Sequence, residues 1–243
     1  MTQTPTAEST APAKRLPARF AGILFAPRAT YASVAAHPTW LGIFLVVFLI
    51  TATAAVGLLS TEVGRGAVID QQIASRESFG RPMTQPEIDQ MEKFAPYFAY
   101  ITPAFQALGL GIGCLVVSGI AFAVFSAFMG GDATFKQTFA IVAHSGAVLA
   151  AASVFTTPLA YARGSLSGTT NLAVFFPFLD DTSFAARLLG SIDLILIWWM
   201  FSVAIGLGVL YRKRTAPIAV TVFAVYAAIA VIIAAIKTAS TGA

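Results

Sequence analysis

Two side chains stand out as able to do proton or ion chemistry, because both lie within long apolar stretches. Asp193 is the sole charged residue between Leu188 and Tyr211, and His144 lies in the uncharged run 137–162. A carboxylate held inside a membrane helix is costly. It faces the interior of a bundle or a water path, where it accepts hydrogen bonds from neighbouring helices or carries a proton or ion. An imidazole titrates near neutrality and could share a relay with it. Depth separates the two, since His144 lies about six residues from one end of its helix and Asp193 near the opposite end of its own. Gln106 and Thr157 match the depth of Asp193 better, and one of them is its expected hydrogen-bond partner. Other constellations fail on spacing. The chain has two histidines, His37 and His144, too far apart for a two-ligand metalloprotease helix. Glu87, Asp89 and Glu92 lack the ligand alternation and turn glycine of a calcium loop. There is no Gly-x-Ser-x-Gly elbow, and Ser145-Gly146 has no base at a suggestive position. Gly109-Leu110-Gly111-Ile112-Gly113 sits in an apolar run rather than between strand and helix, so it is no nucleotide loop. No catalytic residue, metal site or cofactor is expected.

The elements that carry these residues follow from composition. The chain has 243 residues, 57% hydrophobic and 11% charged, a balance that argues against a soluble enzyme. Residues 39–61, 94–131, 137–162 and 215–236 contain no Asp, Glu, Lys or Arg. Runs of this length are membrane spans. An all-α integral membrane bundle is expected, with five transmembrane helices near 41–60, 98–129, 138–160, 188–211 and 216–236, the second long enough to tilt or project. Small residues four apart, namely Gly109 and Gly113, then Ala143, Ala147 and Ala151, then Ser202 and Gly206, suit close helix packing. The lone cysteine, Cys114, rules out a disulfide framework within one chain.

Around the spans, residues 1–17 read as a disordered tail, 18–236 as the membrane domain and 237–243 as a short tail. Ala52-Thr53-Ala54 imitates a signal cleavage site, but the apolar run continues to Leu59 and its polar lead is too long, so an uncleaved first span is expected. Residues 20–37 are too sparingly apolar to cross and read as one or two short interfacial helices. In the loop 62–97, Thr84-Gln85-Pro86-Glu87 fits a capping box, and Ile88, Met91 and Ala95 share one face, which predicts an amphipathic helix against the outer end of the bundle. Leu172 to Leu179, interrupted by Pro177, is expected to dip into the interface.

Charge sets the orientation. Lys14, Arg15, Arg19, Arg28, Lys136 and the Arg212-Lys213-Arg214 cluster fall on one side of the membrane, and the cluster occupies a very short loop. The other side holds Arg65, Arg76, Arg81, Lys93, Arg163, Arg187 and Lys237 among many carboxylates, mostly in two long loops. Short-loop positive charge predicts a cytoplasmic N-terminus and an outside C-terminus. The net charge of +4 is better explained this way than by nucleic-acid binding.

Gly130-Gly131-Asp132-Ala133-Thr134-Phe135-Lys136-Gln137-Thr138-Phe139 entering a span, Ile192-Asp193-Leu194 through Trp198, and Gly206-Leu207-Gly208 before a basic turn and a last span together resemble the Ypt-interacting-protein (Yip) domain. The segment from Pro27 to Pro38 resembles its bacterial branch. The resemblance covers about residues 18–236 and implies a multipass membrane protein rather than an enzyme, here in a bacterial cytoplasmic membrane. Eukaryotic relatives engage small GTPases through a longer cytoplasmic N-terminal region, which here is a short tail, and the Asp-Leu-Tyr-Gly-Pro motif of those members is absent, so GTPase binding is not carried over. The expected function is a membrane-organising or adaptor protein whose partners are lipids and a membrane protein or a second copy of the chain. The alternative is a small transporter or channel subunit using Asp193.

Overall fold

A computed structural model describes residues 15–128, 130–166, 170–180 and 183–241. The tail expected over 1–17 therefore lies outside the described residues up to residue 14, and its last residues already belong to a helix. Ten α-helices follow in the described chain: α1 (Leu16–Phe25), α2 (Pro27–Ala36), α3 (Leu41–Leu59), α4 (Glu62–Glu77), α5 (Gln85–Phe94), α6 (Phe98–Phe122), α7 (Phe135–Arg163), α8 (Phe184–Gly190), α9 (Leu194–Leu210) and α10 (Thr215–Thr241). No strand forms among the described residues. One isolated antiparallel bridge pairs Asn171 with Asp193. The fold is an all-α membrane bundle.

α7 is the central post, packed against α1, α2, α3, α6 and α9. Of its apolar window, 72% is buried, against 22% for α3, 17% for the α5–α6 rod and 22% for α10. Yet α7 has the lowest mean hydropathy of these four, 1.7 against 2.5, 2.3 and 2.7. That inversion is the signature of a bundle in lipid. Large apolar side chains gain nothing by leaving hydrocarbon, so they face outward, while small and polar residues gather where helices meet. Ala140, Ala143, Ala147 and Ala150 are all buried along α7. Leu45, Leu49, Phe105, Leu108, Ile112, Phe155 and Ile232 remain exposed on the outer faces.

Four helices reach spanning length, α3, the α5–α6 rod, α7 and α10. The fifth, α9, has 17 residues, about 26 Å at ~1.5 Å per residue. Its ends nevertheless meet opposite ends of α7: the Tyr211 hydroxyl is 3.0 Å from Thr138 Oγ1, while Asp193 shares a cavity with Thr157 and Ala160. The helix expected over 188–211 is thus broken into α8, a turn and α9. The break occurs because Asp193 closes onto the backbone and starts a new helix. Short polar side chains favour that cap over a helix interior.

α1 and α2 are helical and short, as their spacing predicts, but they do more than lie at an interface. Tyr31 and Val34 are fully buried in the core formed by α7 and α9. The rod from Gln85 to Ser126 runs 42 residues, about 63 Å and so about twice the hydrocarbon thickness. It carries α5 in line with α6 rather than flat against the bundle. The capping box forms as expected: Glu87 accepts hydrogen bonds from the Thr84 backbone N–H at 2.8 Å and from its hydroxyl at 2.9 Å. These bonds, the backbone one first, hold the Glu87 carboxyl below its ordinary pKa, and the nearby Arg76 adds to the effect. α10 continues as helix past Ile236, where a short tail is expected, because its last turns dock on the α4–α5 corner. Lys237 Nζ lies 5.2 Å from the Phe79 ring centre.

Candidate functional site

The polar groups of the bundle gather at two levels. One is the turn end, where Arg212, Lys213 and Arg214 link α9 to α10. The other is the loop end, where the chain enters α4 and leaves α7.

At the loop end, Asp193 is the N-cap of α9. One carboxylate oxygen accepts the Leu196 N–H at 2.9 Å, and the other accepts a short hydrogen bond from the Thr170 hydroxyl. Its own backbone N–H donates to the Tyr226 hydroxyl at 3.1 Å, and that hydroxyl donates to Ser191 O at 2.8 Å. Two backbone bonds clamp the strand-like pair: Leu172 N–H to Ile192 O and Leu194 N–H to Thr170 O, each 2.9 Å. Asp193 therefore does not sit inside a helix, and its partner is neither Gln106 nor Thr157. A group closing a helix end reaches loops and backbone more readily than side chains on parallel helices. Thr157 does line the same cavity of about 300 Å³, with Leu58, Ala152, Ala160, Thr170 and Ile195. A second cavity of about 390 Å³ shares Thr170 and Asp193 with it and is lined also by Gln71, Ser75, Asn171 and Lys237. Gln106 belongs to neither, and its Oε1 is buried on α6 without a hydrogen-bond partner among the described residues.

His144 lies toward the turn end with no solvent exposure. Its Nδ1 is 2.7 Å from Ala140 O, and since a carbonyl only accepts, Nδ1 carries the proton there. Nε2 is left as a buried acceptor without a partner among the described residues. Around this level lies a polar layer that the spacing of charged and small residues does not disclose. Arg19, 5% exposed, donates to Thr39 Oγ1 at 2.7 Å. The Tyr31 hydroxyl pairs with Ser202 Oγ at 2.7 Å, Gln137 Nε2 donates to Ala35 O at 3.0 Å, and Ser126 Oγ meets the Tyr211 hydroxyl at 3.0 Å. These bonds tie α1 to the segment before α3, α2 to α7 and α9, and the end of α6 to the end of α9. The one signal in the sequence is the concentration of Thr30, Tyr31 and Ser33 in a short helix begun by proline, which does not distinguish a buried face from a wet one.

The small-residue positions diverge. A Cβ on Gly206 would come within 2.4 Å of Ile141 Cγ2 and 3.0 Å of the Tyr31 ring, so glycine there permits three helices to meet. Ala143 and Ala147 are buried and Ala151 is half-buried on α7. Gly109 and Gly113 are exposed, and a Cβ at either meets nothing within 4 Å, so this pair packs against no helix of the described chain. A four-residue spacing aligns small residues on a helix but does not choose which way that face turns. Arg212, Lys213 and Arg214 are all exposed at the turn.

Chemically, both levels are hydrogen-bond junctions between helices. Among the described residues no group of three or more His, Cys, Asp or Glu could hold a metal ion. No curated protein and no solved structure matches the chain. The model of the Yip1 domain matches residues 21–236, which runs from α1 through α10 and takes in both junctions. By that match over most of its length, this chain belongs to the Yip1 domain family of membrane proteins.

Proposed function

We propose that this Yip1-domain protein is a non-enzymatic membrane-organising scaffold or adaptor, seated with its N-terminus in the cytoplasm and its C-terminus outside. The observation that carries this reading is the separation of its two titratable candidates. Both carboxylate oxygens of Asp193 are engaged locally at the loop end. His144 is enclosed toward the turn end, and Ala147, Val148 and Ala150 fill α7 above it, each with no solvent exposure. A proton or ion path needs a sequence of polar groups or water between its stations, and this stretch of α7 offers apolar side chains. A fixed bundle that presents exposed helix faces, α6 above all, suits protein or lipid contact.

The cavity holding Asp193 and Thr157 favours a second reading, a small transporter or channel subunit. Purified full-length protein in liposomes separates the two. The scaffold reading expects no pH- or ion-driven flux above empty liposomes, and unchanged crosslinking to neighbours in native membranes for Asp193→Asn. Flux that Asp193→Asn abolishes would overturn it.

A further inference from the structure

The basic turn does not stand alone. Arg28, at the start of α2, reaches across to it: Arg28 Nη2 is 3.4 Å from Thr215 Oγ1, the first residue of α10. Arg28, Arg212, Lys213 and Arg214 line one cavity of about 600 Å³ with Gly208, Thr215 and Ala216. All four cations are exposed, and among the described residues no carboxylate pairs with them. Two helices begin at this cavity, α2 at Pro27 and α10 at Thr215. The first N–H groups of a helix have no partner within it, and the positive end of its dipole attracts anions. α2 has no side-chain cap, although its first residue, Pro27, has no N–H to offer. The turn is held in an unusual backbone state. Arg212 is the only described non-glycine residue with positive φ, at 53°, and Lys213 N–H closes onto Gly208 O at 2.9 Å. A Cβ at Gly208 would lie 3.0 Å from Thr215 Oγ1, so glycine keeps this floor open.

A second cavity of about 660 Å³ lies beside it, sharing Arg28, Thr215 and Ala216 in its lining and otherwise lined by Ala26, Pro27, Ala29, Phe201 and Ile205. Phe201 and Ile205 are one turn apart on α9, so they form a continuous apolar wall that descends from the cations toward the bilayer core. A site for a small soluble anion needs only the first chamber. The second gives a place for hydrocarbon attached to that anion.

We propose that these two adjoining cavities together form a binding site for one anionic phospholipid of the leaflet at the turn end. Its phosphate lies among Arg28, Arg212, Lys213 and Arg214, and one acyl chain runs down the trough beside Phe201 and Ile205. The site rests on the membrane embedding of the bundle and is independent of whether the protein organises partners or transports a solute. Bound there, the lipid bridges α2, α9 and α10, adding to the Arg28–Thr215 hydrogen bond at this corner and the Tyr31–Ser202 hydrogen bond behind it.

Native mass spectrometry of the detergent-solubilised full-length protein, titrated with phosphatidylglycerol or phosphatidylcholine, tests the site. One phosphatidylglycerol is expected to bind preferentially. Arg28→Gln with Arg214→Gln should weaken it by about tenfold to thirtyfold, from two basic side chains near the headgroup. Phe201→Glu, which keeps every cation but blocks the trough, should also release the lipid and serves alone if the double variant fails to fold. Arg65→Gln with Lys93→Gln removes the same charge at the loop end and should leave binding unchanged. Equal retention of the two lipids, or equal loss in the loop-end control, would overturn the proposal. So would inorganic phosphate binding as tightly as phosphatidylglycerol, since that marks a free-anion site.

Discussion

Replacing Asp193 separates the work of its oxygen acceptors from the work of its charge. In Asp193→Ala, α9 loses its N-cap, an effect of about 1 kcal/mol with a range of roughly 0.5–2. The Thr170 hydroxyl also loses its acceptor, and a hydrogen bond within a membrane bundle contributes about 0.6–2 kcal/mol. Together these predict a destabilisation of about 1.5–3 kcal/mol. The backbone clamp through Thr170 and Leu172 should persist, because its two bonds involve no side chain. Asp193→Asn keeps a capping oxygen that suits the position as well as Asp does, and its cost should stay below about 1 kcal/mol. The assay is detergent-induced unfolding of both variants, followed by helical content in mixed micelles. A cycle with Thr170→Val then isolates the pair: the double variant should cost about 1 kcal/mol less than the two single changes added together. If Asp193→Ala unfolds with wild-type stability, or Asp193→Asn is as damaging as Ala, the capping argument is wrong. A titrating role for the carboxylate would then account better for its presence.

Gly206→Ala should destabilise the bundle by about 1–3 kcal/mol through overpacking against Ile141 and the Tyr31 ring, and Ile141→Ala in the same chain should recover part of the loss in the same unfolding assay. The Glu87 carboxyl, held below its ordinary pKa, stabilises the start of α5 at pH values above the usual Glu pKa of about 4.3. That stability should disappear as pH falls through the lowered folded-state value, read as lower protection against hydrogen exchange in the first turn of α5 once each rate is divided by the intrinsic rate at the same pH, and Glu87→Gln should flatten the dependence. In a Cys114→Ala background, single cysteines at Asp132 and Ser78 should label from opposite faces of the membrane, with Asp132→Cys on the cytoplasmic side. Labelling of both from one face would refute the orientation.

The primary structure determines the membrane class and the positions of the four long spans, because burial in hydrocarbon depends on transfer free energy summed over about 20 residues and needs no partner. The capping box at Thr84 is local in the same way. The family relationship is also legible in the sequence, over residues 21–236. Tertiary structure alone decides which face of each helix turns inward, since in lipid a leucine and an alanine are nearly indifferent to sidedness until another helix arrives. Gly206 and Gly113 occupy similar small-residue patterns, yet one meets Ile141 and Tyr31 and the other meets nothing. Asp193 shows the other limit. Its type and apolar surroundings suggest a carboxylate within a helix, but the approach of Thr170 and Tyr226 from distant segments makes a helix end there more favourable. The polar layer of Arg19, Tyr31, Ser202 and Gln137, and the meeting of Arg28 with the basic turn, arise between segments up to 187 residues apart. Such pairings depend on the packing of α2 against α7 and α9, a long-range contact that no spacing within one helix encodes.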